Sequence, residues 1–77
     1  MYTIADLNKG DAAIIKDVSS IDIPIKLLEM GCLPGNEIKV IQQAPFSGPM
    51  YINIEGTHLA IRSKTAKLII VDKLKDE

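Results

Sequence analysis

Apolar and polar side chains alternate most regularly in three stretches of the 77-residue chain. Ile38 and Val40 alternate with Glu37 and Lys39, Met50, Ile52 and Ile54 mark one side of "MYINIE", and Leu59 and Ile61 continue beyond it. A period of two puts alternate side chains on one face of a strand. Between the second and third stretches, Gly56-Thr57 reads as a two-residue hairpin with glycine at its first central position. Counting outward pairs Glu55 with His58, Ile54 with Leu59, Asn53 with Ala60, Ile52 with Ile61 and Tyr51 with Arg62. Apolar pairs then share one face and polar pairs the other, an arrangement that a one-residue slip would destroy.

The remaining pattern predicts shorter elements. "TIADLN" (3–8) reads as a helical turn capped by Thr3, with Ile4 and Leu7 on one face and Gly10 ending it. In "DAAIIKDV", Ala13 and Ile15 point inward and Val18 rejoins the core after a bulge. Residues 22–30, "DIPIKLLEM", form the one clear helix: Asp22 as N-cap, Pro24 in the first turn, Gly31 as the C′ residue, and Leu27, Leu28 and Met30 on the buried side. Pro34-Gly35 makes the turn into the next strand, with Leu33 filling the core between them. Ser63 caps a tight turn through Ala66, "KLIIV" is the last strand, and "DKLKDE" is a charged tail. The expected fold is mainly β: a small barrel of five to six strands with one short helix at about 22–30. One domain spans 1–72 and the tail 73–77.

Composition narrows the core and the compartment. Apolar residues make up 47% of the chain but aromatics only 4%, so the core is built from Ile, Leu and Val, a mix that favours strands. A single cysteine rules out an internal disulfide. Asp6 and Asp11 interrupt the N-terminal apolar residues, and "LIIV" is far short of the roughly 20 residues of a membrane helix. A cytoplasmic domain, not itself inserted in a membrane, is expected. The net charge of −1 and the lack of aromatic platforms argue against nucleic acid. Between Gly56 and Val71, however, stand Arg62, Lys64 and Lys67 and no acid, which reads as a solvated face or as a patch for an acidic surface.

Candidate chemistry is sparse. Cys32 lies among special-backbone residues, and one Cys with one His falls short of the roughly four ligands of a zinc site, so Cys32 reads as a buried bend residue. Glu55 and His58, opposite each other in the expected register, form either an exposed polar pair or a weak Fe2+ or Zn2+ site. No phosphate-loop, dinucleotide or nucleophile-elbow motif occurs, and an enzyme is not expected. Tyr51 and Arg62, as outward neighbours, make either a cation–π pair or, with Lys64 and Lys67, a contact patch. Phe46, in a loop between Pro45 and Gly48-Pro49, is either a core lid or a contact anchor.

Taken together, "LLEMGCLPGNEIKVIQQAP", then Gly48-Pro49, Gly56, Leu59, Arg62, Ala66 and the closing "IIV", resemble the FeoA family of small ferrous-iron transport accessory proteins. The similarity runs from about Leu7 to Val71. The resemblance implies an SH3-like β-barrel without catalytic residues or a cofactor of its own. It also implies a cytoplasmic partner role beside FeoB, the membrane GTPase that carries Fe2+ into bacterial cells; self-association stays open. A metal-binding or iron-sensing domain is the alternative. Family helices usually open with arginines, whereas here Asp22-Ile23-Pro24-Ile25 precedes the single Lys26, which becomes the helix's candidate partner contact. A second glycine is common where this chain has Ser47.

Overall fold

A computed structural model of the chain describes residues 2–46 and 48–74. Six strands, β1 (Tyr2–Thr3), β2 (Ala12–Asp17), β3 (Glu37–Gln43), β4 (Met50–Ile54), β5 (Thr57–Ile61) and β6 (Ile70–Lys73), form one antiparallel sheet ordered β1-β6-β2-β3-β4-β5. A 3-10 turn at Ile4–Asp6 follows β1, and helices α1 (Ile25–Glu29) and α2 (Ser63–Ala66) follow β2 and β5. The 3-10 turn touches α2, and the Ile4 N–H donates to the Ile69 carbonyl at 3.1 Å. These contacts draw the two ends of the sheet together, so the sheet curls around its inner face. That face carries Ile15, Ile38, Val40, Ile52, Ile54 and Val71, each at most 2% exposed. Burying one such side chain contributes roughly 1.5–3 kcal/mol.

Local chemistry places the elements. At the start, the Asp6 carboxylate accepts the Thr3 N–H at 2.9 Å and the Thr3 hydroxyl at 3.2 Å, so the cap runs back from Asp6 to Thr3. Ile4 and Leu7 are buried as the spacing predicts, and the β2–β6 register shifts between Ile15 and Asp17, leaving Val18 half-buried beyond the bulge. Helix α1 is shorter than expected, starting at Ile25 with Pro24 as its cap. A proline disfavours the helical region for the residue before it. The residues before Pro24 form a turn instead, closed by the Ile23 N–H on Ser20 O at 3.2 Å; Ile23 is buried, and the Asp22 N–H donates to Ser20 Oγ at 3.3 Å rather than Asp22 capping the helix.

At the far end of α1, Gly31 has φ +105°, and its N–H donates to Leu28 O while the Cys32 N–H donates to Leu27 O. This pair of bonds is the glycine-terminated helix exit in which the last carbonyls are satisfied by the two following amides. Asn36 Nδ2 then donates to Gly31 O at 2.7 Å, tying the helix exit to the start of β3. The turn at Pro34-Gly35 closes with the Asn36 N–H on Leu33 O at 3.1 Å. The residue inside is Cys32, fully buried, and not Leu33, which is 44% exposed. Cys32 follows directly on the sharp reversal at Gly31 and so faces inward; one residue later the chain points outward.

Two further expectations shift. Arg62, not Ser63, precedes the first turn of α2, and its carbonyl accepts the Thr65 and Ala66 amides at 3.0 and 2.9 Å. Residues 67 and 68 complete that turn, so β6 begins at Ile70 rather than in the preceding "KL". It runs through Lys73, and the Leu74 N–H still donates to Ala12 O at 2.9 Å. The predicted tail therefore starts inside the sheet, and its last residues, 75–77, lie outside the described residues.

The hairpin differs in register. Ile54 pairs with Thr57, Asn53 with His58, Ile52 with Leu59, Tyr51 with Ala60 and Met50 with Ile61. The turn is thus Glu55-Gly56, with φ of 49° and 86°, the paired positive values of a type I′ turn. Asn53 Oδ1 accepts the Gly56 N–H at 3.0 Å, and Glu55 Oε1 accepts the Glu37 N–H at 3.3 Å. Both bonds hold the turn one residue earlier than the sequence suggests.

Candidate docking surface

β5 is an outer strand of the sheet. Of its residues only Ile61 is buried; Leu59 is half-buried, and Thr57, His58 and Ala60 are exposed. A two-residue turn makes Ile54–Thr57 a hydrogen-bonded pair, so Ile52–Leu59 and Met50–Ile61 are also bonded. The backbone N–H and C=O groups of His58 and Ala60 consequently point away from β4. Among the described residues, no backbone bond joins either residue to another element.

Hollows flank this strand on both sides. One, of about 500 Å3, lies between β5 and α1, where Leu27 and Met30 face Leu59 and Ile61, with Lys26 and Arg62 also in the wall. The other, of about 570 Å3, is bounded by Ile41, Tyr51, His58 and Ala60. Its exposed aliphatic wall comes from a bulge: the β3–β4 register shifts between Val40 and Gln42, leaving Ile41 unpaired and 41% exposed beside Tyr51, itself 44% exposed. A bulge re-aims a side chain in this way. Adjacent Val40 and Ile41 break the alternation in "EIKVIQQ" at this point, yet sequence reasoning passed over both Ile41 and the open edge of β5.

The six predicted contact residues do not form one patch. Lys26 and Arg62 meet in the α1–β5 groove, and Tyr51 lies in the neighbouring hollow. Lys67 belongs elsewhere, lining a smaller depression with Gln43, Ala44 and Gly48 at the base of the Phe46 loop. Lys64 is exposed on α2, and Phe46 is fully exposed at the loop tip, which sets aside the core-lid alternative. Tyr51 faces Ala60 across the hairpin, so Arg62 is its diagonal neighbour rather than its partner.

Glu55 and His58 are likewise not opposite each other: Glu55 occupies the turn and His58 faces Asn53. Glu55 instead shares a depression with Glu37 and Lys39. Among the described residues, no three His, Cys, Asp or Glu side chains gather as a cation site. Cys32 is enclosed in the core, and burial pushes its thiol up to about 11, so it is protonated and inert at neutral pH. No described helix is long and apolar enough to cross a membrane.

A curled antiparallel sheet with short helical closures, and an outer strand open between two hollows, define an SH3-like β-barrel domain. The chain belongs to the FeoA family, whose FeoA domain model matches residues 2–73. The solution structure of FeoA protein from Chlorobium tepidum superimposes with a TM-score of 0.87 at 29% identity, covering 99% of this chain and 74% of that one. FeoA of Stenotrophomonas maltophilia, a prokaryotic SH3 domain protein crystallised with zinc, gives 0.81 at 25% identity, covering 94% and 91%. An Fe(2+) transport protein A/Fe(2+) transporter FeoB fusion protein from Porphyromonas gingivalis is 34% identical over 70 residues. That match takes in 90% of this chain and 8% of the fusion protein.

Proposed function

We propose that this chain is a cytoplasmic accessory domain of bacterial ferrous iron uptake, which docks on the FeoB transporter and modulates it without catalysing a reaction of its own. The observation that carries the reading is the related polypeptide in which transport protein A and transporter FeoB are fused. A tether holds two domains at an effective concentration in about the millimolar range, enough for a weak surface to stay engaged. Where the domains are separate chains, the surface alone has to supply the affinity. The ridge of β5, with apolar hollows on both flanks, is a surface of the kind such contacts use.

The test is a titration of the isotope-labelled domain with the soluble cytoplasmic portion of FeoB, loaded in turn with GDP and with a non-hydrolysable GTP analogue. Saturable binding in at least one nucleotide state is expected. Absence of binding in both would overturn the reading.

A further inference from the structure

We propose that the outer edge of β5 and the groove beneath α1 bind an extended, acidic partner segment by strand addition; the surface follows from the structure alone, and only the partner's identity rests on the docking reading above. Three observations converge on this edge. His58 and Ala60 present backbone donors and acceptors away from β4 with no partner in another element among the described residues. Such an unpaired row is a template for a further strand. Ala60 contributes only a methyl group, so a second backbone can approach closely.

The flanking groove supplies side-chain recognition. Leu27, Met30 and Leu59 are half-buried and give an apolar wall, in which the unbranched Met30 can adapt to its guest. Alternate side chains of an added strand point toward this wall. The charged residues of the groove are Lys26 and Arg62, with no carboxylate among its lining residues. An alternating segment of apolar and acidic residues therefore matches both the pleat and the charge.

The same charges disfavour a second copy of this chain as occupant. Pairing β5 with another β5 would bring together two grooves, neither of which has a carboxylate in its lining to meet the other's Lys26 and Arg62.

The experiment is an amide-resolved NMR titration with a short synthetic peptide alternating valine and glutamate. The His58 and Ala60 amides are expected to shift and to become protected from hydrogen exchange. A valine–lysine peptide should bind about tenfold more weakly or not at all. The valine–glutamate peptide N-methylated on its pairing edge should lose binding. In the protein, Ala60→Pro removes an N–H that takes no part in the β4 ladder, a position where an edge strand tolerates proline. This variant should keep its fold and lose the peptide.

Shifts confined to other surfaces, no shifts at all, or equal binding of the N-methylated peptide would overturn strand addition, and the last needs no variant to fold. A dimer that Ala60→Pro abolishes would assign the edge to a second copy and overturn it too. FeoB binding that survives in folded Ala60→Pro overturns FeoB as the occupant of this edge but leaves the docking function standing. Peptide addition at β5 without any FeoB binding does the reverse.

Discussion

Gly31 holds φ +105° where the chain leaves α1, and the next amide, that of Cys32, must reach back to Leu27 O. A β-carbon there would meet Ile54 Cγ2 at 3.4 Å, an ordinary contact, so crowding is not what reserves the position for glycine. The backbone is: a positive φ costs an L-residue roughly 1–2 kcal/mol, and a β-branched side chain more. Gly31→Val should therefore lose at least about 2 kcal/mol, a fall in Tm of about 10 °C for a domain this small. Wild-type-like melting would refute this account of the helix exit. The glycine was legible because helix, glycine and Pro-Gly turn follow one another in "LLEMGCLPG". Which neighbour fills the core was not. Cys32 and Leu33 differ by one residue of direction, which follows from the angle of the reversal at Gly31 and from the bond that Asn36 Nδ2 makes to Gly31 O from five residues away, neither of which a local pattern encodes.

At the scale of elements, strand faces were readable and partners less so. Ile52, Ile54 and Ile61 lie inside in either hairpin register, because a displacement by two residues preserves the alternation. The displacement still moved every cross-strand pair, and with it both predicted pairings, Tyr51 with Arg62 and Glu55 with His58. Gly56-Thr57 and Glu55-Gly56 are both acceptable two-residue turns. The choice falls to the second because Asn53 and Glu55 bond to Gly56 and Glu37 around it. The candidate surface was legible only in part for the same reason: Lys26 and Arg62 were visible as charges, but their shared groove depends on how α1 lies along β5. Glu55 at φ 49° carries a strain that asparagine relieves in a type I′ turn. Glu55→Asn forfeits the exposed 3.3 Å bond to the Glu37 N–H but keeps the bond from the Gly56 N–H to Asn53 Oδ1 that also holds the turn, and should on balance raise stability by about 0.5–1 kcal/mol. A rise in Tm of about 4 °C would be the sign of it. An unchanged Tm is what a Gly56-Thr57 turn would produce, so the measurement also tests the register.

For the whole molecule, two groups far apart in pKa couple stability to pH from opposite ends of the scale. The Asp11 carboxylate accepts the Asn8 N–H at 2.8 Å, closing the turn before β2, and meets Lys73 Nζ on β6 at 3.5 Å. The backbone bond from Asn8 holds its pKa below the ordinary carboxylate value against the opposing effect of desolvation, and Lys73 adds a smaller lowering. A group lowered on folding stabilises above its unfolded pKa, near 3.9, and that contribution disappears as pH falls through the folded value. Cys32 has the opposite sign. Its buried thiol is raised to about 11, whereas the unfolded chain ionises near 8.5, so its contribution is whole below about pH 8.5 and is lost as pH climbs toward 11. For this buried group the loss amounts to roughly 3 kcal/mol at the alkaline end, a large share of what a core this size provides. Urea midpoints measured from pH 2 to 11 should separate the two effects, because each variant removes one titration. Asp11→Asn should be less stable than the wild type at neutral pH and converge with it as pH falls through the lowered pKa of the folded carboxylate. Cys32→Ala should lose about 1–2 kcal/mol at pH 7 from the space it leaves, then draw level with the wild type or overtake it above about pH 10 as the native thiol is forced to ionise. Profiles that stay parallel to the wild type at both ends would mean that neither group is coupled to folding, and the closing of the turn at Asn8–Asp11 and the burial of Cys32 would both have to be reread.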